Sequence, residues 1–513
     1  MVLLTMAIVF VTQVALAQNA PSGAVSPPAG DTALQPKCAC ADLRRLTSYE
    51  FSIESAELIA GGTESPERCR VRGQILPEIQ FEVNLPATWN RRFYMFGNGG
   101  YAGESPDTPN RVAQRNQAVR RGFVVADTNT GHDAVSEPLG TFAQNRQKLL
   151  DYAFRSLHLT AVTGKRIAQE YFGAAPTHSY FEGCSTGGRQ GLILAQRFPE
   201  DFDGIVAGAP VLHFSGTMMG YAQITQALNK SPIPYAKLSV LADRIYALCD
   251  EKDGLKDGLI DDPRRCDFRP ARDLPKCAEG ADQPDCFTSA QAAALEKIYG
   301  DVTSQGKRIF PGWPVGAEVA GPNGRSGWDN WIVSEKRQPT ISMMFGETFF
   351  RYLAFPQKNP NYTLADFDLE KDPPRLEWIH GVLDATDPDL SRFMRRGGKL
   401  LMYFGWADPA LNAQMGVDYY ESVLARLGDQ TRSFFRLFMV PGMFHCGGGV
   451  GCSNFDKLTP LMQWVEQATA PERLVGSRNI EGKLRTRPLC PYPQAAKYSG
   501  TGSPEDASNF VCK

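Results

Sequence analysis

The chain carries no excess of either charge. Its 54 Lys and Arg stand against 56 Asp and Glu in 513 residues, a formal net charge of −2, and no Lys/Arg run or basic stripe occurs. That balance argues against nucleic acid or an anionic membrane as partner, since both are bound through clustered cations. Histidine is scarce, with six in the whole chain, so a catalytic base has few candidates. No Cys-x-x-Cys is matched by a second such pair, and Cys38-Ala39-Cys40 is too tight for a metal knuckle, which speaks against zinc. Internal repeats are absent. After the N-terminus no uninterrupted apolar run reaches the ~18 residues a membrane span needs.

What is present begins with MVLLTMAIVFVTQVALAQNA. An apolar stretch from Val2 to Val11 leads to Ala15-Leu16-Ala17, an A-x-A cleavage pattern, without the usual Lys/Arg ahead of it. Residues 1–17 therefore read as a secretory signal, and 18–36, rich in Pro, Gly, Ala and Ser, as a flexible leader. A secreted or periplasmic location follows, and in that oxidising setting the 12 cysteines read as disulfides.

From about residue 70 short apolar runs alternate with amphipathic stretches. Strands are predicted at RRFYMF, GFVVADTN, HSYFEG and DGIVAGAP, with helices over 145–173 and 187–200. Such alternation implies a parallel α/β sheet. The rhythm stops near 216, gives way to cysteines, prolines, aromatics and an acidic loop, and resumes with the strands GKLLMYFGW and SFFRLFMV. The predicted organisation is a core over 37–215, an inserted lid over 216–395, and the rest of the core with a disulfide-stapled C-terminus over 396–513.

Gly183-Cys184-Ser185-Thr186-Gly187 is G-x-S-x-G at the junction of a predicted strand and helix. Glycines on both sides permit the sharp turn that exposes a nucleophilic hydroxyl, and the Thr186 amide is placed to receive an oxyanion. A serine nucleophile needs a base and an orienting carboxylate, which in this arrangement follow in the order Ser, Asp, His, each after a strand. Asp408 and His445 satisfy both conditions. His158, His178, His213 and His380 read as structural or surface residues, and His132 in NTGHD as pocket-shaping or loop packing. The Gly-rich loop after RRFYMF offers a second oxyanion donor, with Gly100 the first choice. In CDEKDGLKDGLIDDPRRC, Asp250, Asp253 and Asp257, with Asp261 beyond, suit a hard cation bound by oxygen, and Cys249 and Cys266 bracket the loop. The spacing is not that of an EF-hand.

Taken together, GCSTGGRQG with QRFPEDFDGIVAGAP, GWADP, PGMFHC and CDEKDGLKDGLID resemble the tannase and feruloyl esterase family of secreted α/β-hydrolases, over the chain from about 70 to its end. The resemblance implies an α/β-hydrolase fold with a substrate-shaping lid and a triad of Ser185, Asp408 and His445. It also implies a Cys184–Cys446 bond and a structural Ca2+ held by Asp250, Asp253 and Asp257 with the carbonyls of Leu255 and Leu259. Cys249–Cys266, Cys277–Cys286 and Cys490–Cys512 are close in sequence and similar to the family's pairs. One of Cys38 and Cys40 is then assigned to Cys69, and the other is left for Cys452.

Members of that family cleave aromatic esters: hydroxycinnamates on plant polysaccharide, galloyl esters, or mono(2-hydroxyethyl) terephthalate. Trp313, Trp328, Trp331, Phe345, Phe349, Phe350 and Tyr352 in the lid suit a flat acyl group, although most of them read as the lid's own core. Phe404 in Tyr-Phe-Gly-Trp is similar to the feruloyl esterase form, which favours small feruloyl esters or ester-decorated polysaccharide as substrate, ahead of tannase or terephthalate monoester hydrolase chemistry. Competing readings are a non-catalytic, calcium-stabilised binding protein and a Cys184 nucleophile, the latter at odds with an oxidising compartment.

Overall fold

The computed structural model describes residues 33–63, 65–319, 327–335 and 338–513. The signal over 1–17 and most of the leader lie outside the described residues. The described chain is pinned ahead of residue 37, because Leu34 and Trp89 exchange backbone hydrogen bonds of 2.8 and 2.9 Å.

Four strands precede the first long helix: β1 (Phe51–Ile59), β2 (Arg68–Ile75), β3 (Ile79–Pro86) and β4 (Arg92–Phe96). Then come β5 (Val124–Thr128), β6 (His178–Cys184) and β7 (Gly204–Gly208). A small hairpin, β8 (Val302–Ser304) with β9 (Lys307–Phe310), belongs to the insertion, before β10 (Lys399–Gly405) and β11 (Phe435–Val440). Nine of these form one sheet in the order β1-β2-β3-β5-β4-β6-β7-β10-β11.

The expectation of a parallel sheet holds from β5 through β11. It fails at the other edge, where β1, β2, β3 and β5 pair antiparallel. The reason is local: three residues, Leu76 to Glu78, join β2 to β3, too few for the crossover that parallel neighbours require. The signal was present as period-two alternation, with Cys69, Val71, Gly73 and Ile75 buried between Arg70, Arg72 and Gln74. By contrast β4, β5 and β7 are buried at every position, as strands covered by helices on both faces must be.

Helix Ser156–Phe172 ends at Gly173, whose φ of 70° is the left-handed stop that glycine supplies. After β7 the chain leaves the sheet and returns at β10, building helices Phe214–Lys230, Leu238–Cys249, Ser289–Tyr299, Ile341–Thr348 and Glu377–Leu383 between them. Among the described residues this insertion has no core separate from that of the sheet. One hydrophobic cluster runs from Phe181 and Ile205 on the sheet through Phe214, Phe349, Leu353 and Leu383. The opposite face is filled by Tyr94, Tyr180, Leu401 and Phe438 against Leu461 and Trp464 of helix Leu458–Gln467.

Five disulfides are formed: Cys40–Cys69, Cys184–Cys446, Cys249–Cys266, Cys277–Cys286 and Cys490–Cys512. The expected link from the N-terminal cysteines to Cys452 is not: Cys38 and Cys452 are both free. Cys38 sits two residues from the bond to β2, whereas Cys452 follows β11 at the far edge. Seven strand spacings, roughly 30 Å, separate β2 from β11.

Candidate active site

Ser185 stands between β6 and helix Thr186–Arg197 at φ 64°, ψ −122°. That backbone is costly for a residue with a Cβ and persists where its surroundings enforce it. Here the Ser185 N–H donates to the Gly208 carbonyl at 2.9 Å, and the Ser185 carbonyl accepts from Arg189 N–H at 3.0 Å. A Cβ on Gly183 would come within 2.5 Å of the Gly187 backbone, so the turn closes only without one. The result lifts a half-buried serine to the carboxyl end of the parallel strands, at the start of a helix.

His445 follows β11 and Asp408 follows β10, so adjacent parallel strands deliver both to the same edge. His445 Nδ1 lies 2.8 Å from Asp408 Oδ2. Asp408 is buried, and its Oδ1 accepts the N–H groups of Ala410 and Leu411 at 2.8 and 2.9 Å. Those three contacts leave the carboxylate one orientation. Cys446, next to His445, is bonded to Cys184, next to Ser185, with their Cα atoms 5.9 Å apart. The serine turn and the histidine loop are thus covalently joined.

Two donors remain for an oxyanion. In the loop after β4, the Gly97 N–H donates to the Glu182 carbonyl, Asn98 N–H to Gln190 Oε1 and Gly99 N–H to Glu104 Oε1. The Gly100 N–H alone of these four has no acceptor among the described residues. The Gly100 carbonyl is held by the Thr186 hydroxyl and, at 3.2 Å, by Tyr152, which ties this loop to the serine helix. A hydroxyl, an imidazole oriented by a buried carboxylate, and amides at Thr186 and Gly100 are the parts that acyl transfer needs.

The sequence profile described as "Tannase and feruloyl esterase" matches residues 63–513. An uncharacterized esterase of Xanthomonas campestris pv. campestris is 36% identical, the match covering 94% of this chain and 92% of that protein. The mono(2-hydroxyethyl) terephthalate hydrolase of Piscinibacter sakaiensis is 34% identical over 90% and 87%. The crystal structure of feruloyl esterase B from Aspergillus oryzae superposes with a TM-score of 0.80 at 25% identity, covering 93% of this chain and all of that one. The chain belongs to the tannase and feruloyl esterase family. It is a carboxylic ester hydrolase with the α/β-hydrolase fold.

Of the insertion's aromatics, Trp313, Trp328, Phe349 and Phe350 are buried in the common core, while two reach this esterase's site. The Trp331 ring meets His445 edge-on at 5.7 Å and lies parallel to Phe345 at 6.5 Å. Phe345 in turn closes over Gly100, and its carbonyl accepts from the Tyr101 hydroxyl at 2.8 Å. Phe404 is fully buried, its ring against Gly416, and so presents nothing to a substrate.

The acidic loop folds as a unit behind the Cys249–Cys266 bond. Asp253, Leu255, Leu259 and Asp261 line one small cavity, closed by Cys452, Arg487 and Phe510. Asp257 Oδ2 takes a hydrogen bond from Arg487 at 2.5 Å, while its Oδ1 is buried without a donor among the described residues. Burial, with the Asp253 and Asp257 carboxylates beside it, pushes Asp261 up to about 8. Asp250 differs from its neighbours: its Oδ1 accepts the N–H groups of Asp257, Gly258 and Leu259 at 3.0 to 3.2 Å. Crowded carboxylates with an orphaned oxygen fit a hard divalent cation.

Among the other histidines, His132 is buried and stacked on Phe142 at 4.0 Å, its pKa lowered by burial. It packs the loop. His158 pairs with Asp201 and stacks on Phe198. His213 and His380, assigned separately to structural or surface places, converge on Asp384. Only the four-residue spacing of His380 and Asp384 on one helix hinted at this.

Proposed function

We propose that this esterase is exported and cleaves aromatic acid esters, most readily feruloyl esters, through an acyl-enzyme on Ser185. The observation that carries the reading is the buried Asp408 carboxylate, 2.8 Å from His445 Nδ1, on a loop bonded to the serine turn. His445 Nε2 takes the Ser185 proton as Oγ attacks the ester carbonyl. The amides of Thr186 and Gly100 receive the negative oxygen, and the alcohol leaves with the proton from His445. Water then enters, gives its proton to His445, and releases the aromatic acid. Trp331 and Phe345 supply flat faces at the acyl side, which supports an aromatic acid. The esters are small molecules or are carried on plant polysaccharide.

The five disulfides support export to a secreted or periplasmic location. Among the described residues no helix is long and apolar enough to cross a membrane. A structural calcium would be held by Asp250, Asp253 and Asp257 with the carbonyls of Leu255 and Leu259. It would supply cross-linking, not chemistry.

Side-by-side rates on methyl ferulate, methyl gallate and mono(2-hydroxyethyl) terephthalate test the substrate. The largest kcat/KM is expected on methyl ferulate, and a larger value on either other ester replaces that assignment. Equal release of p-nitrophenol from a short acyl ester by wild type and Ser185→Ala would leave a binding protein instead.

A further inference from the structure

The two ends of the insertion meet at a cluster that the ester chemistry does not use. His213 immediately precedes helix Phe214–Lys230, on the segment leaving β7. His380 lies on helix Glu377–Leu383, and Asp384 is the residue that ends it. The Ala385 N–H donates to the Leu212 carbonyl at 2.7 Å, so the outgoing and returning chains run side by side. Asp384 Oδ2 is 2.8 Å from His380 Nδ1 and 3.6 Å from His213 Nε2. The carboxylate is buried and braced by Ser215, whose N–H donates to Oδ1 at 2.9 Å and whose hydroxyl donates to Oδ2 at 2.7 Å. His380 is exposed, and beside His213 opens a cleft of about 290 Å³ that also reaches Arg308, Phe310 and Asp418.

The geometry points to a binding site for a divalent transition metal of the zinc class, held by His213 Nε2, His380 Nδ1 and Asp384 Oδ2. Tetrahedral bonds of about 2.0–2.1 Å place ligand atoms about 3.3 Å apart. The two separations to Asp384 Oδ2, 2.8 and 3.6 Å, lie on either side of that value. Two imidazoles with one carboxylate suit zinc, whereas calcium takes six to eight oxygens at sites like the acidic loop. On binding, the Nδ1 proton that His380 shares with Asp384 leaves to solvent, and the freed lone pair goes to the metal. The fourth position faces solvent past His380 and takes a water. The ligands come from both ends of the insertion, so the ion fastens them to each other, and its role is structural.

The test is calorimetric titration of zinc into the full-length, calcium-treated protein, with cobalt(II) absorption and the thermal midpoint as further readouts. Wild type is expected to take up zinc with a rise in midpoint, and cobalt to give a visible band. His380→Ala, at an exposed position, should weaken zinc about 10-fold or more and remove the band, while the midpoint without zinc and the ester hydrolysis stay as in wild type. His213→Gln should lose affinity in the same way from the other chain segment. Equal zinc affinity in wild type and both variants overturns the site, as does absence of uptake by wild type. Neither result touches the ester reading, because His445 is intact in every protein compared.

Discussion

His445 with Asp408, and His380 with Asp384, make the same contact in two parts of the molecule: Nδ1 to Oδ2 at 2.8 Å. His158 with Asp201 makes it a third time. What differs is how each pair is assembled. Asp384 follows His380 by four residues along one helical turn and spends its carboxylate on the start of helix Phe214–Lys230 through Ser215. Asp408 and His445 are brought together by two adjacent strands of a parallel sheet, at the edge where β6 delivers Ser185. A histidine–aspartate pair is thus an ordinary way to satisfy buried polar groups. Of these three pairs, His445 with Asp408 is the one that stands beside a candidate nucleophile, on a loop bonded through Cys446 to the serine turn.

That contrast is broken most sharply at the serine. Ser185→Ala is expected to lower kcat on a p-nitrophenyl ester by on the order of 10⁴–10⁶ with an unchanged thermal midpoint; a loss under tenfold would refute the nucleophile. Next, Asp408→Asn should cost roughly 10³–10⁴ in kcat, while Asp201→Asn at the matching contact leaves kcat within a few-fold. Similar losses in both would mean that the pairs differ only in stability. Replacing Cys184 and Cys446 together by alanine should lower kcat about 100-fold, the scale of a 1 Å displacement. The bond's loop is 262 residues, so up to about 5 kcal/mol of stability goes with it. Measuring kcat well below the variant's own melting point separates the two losses, and full activity there would show that the bond is not needed to align Ser185 with His445. Smallest is calcium removal. Chelation, or Asp257→Asn, should lower the melting point by about 5 °C or more with kcat retained at 25 °C, and an unmoved melting point would exclude a structural ion at the acidic loop.

Much of this was legible before folding. Ser185, Asp408 and His445 announce themselves because each stands directly after a strand, where short-range pattern and chain order suffice. The bracketing of the acidic loop by Cys249 and Cys266 is equally local. The antiparallel edge is legible too, in the alternation of β2, and its direction is decided by the three-residue turn from Leu76 to Glu78. Phe404 misled, since a motif residue identified by resemblance proves to be buried against Gly416.

The amino-acid order alone determines the serine turn, the order of the candidate triad, the acidic loop and three of the disulfide partnerships, each written in neighbouring residues, while the Cys184–Cys446 bond is implied by resemblance to the family. Tertiary structure decides what depends on distance between segments far apart in the chain. Cys38 and Cys452 stay unpaired, one near the β2 side of the sheet and the other beyond β11. Two of the insertion's aromatics face the site while most fill the common core. His213 and His380, 167 positions apart in the numbering, share one carboxylate. Local backbone rules carry no information across such gaps; only the packing of the insertion onto the sheet supplies it.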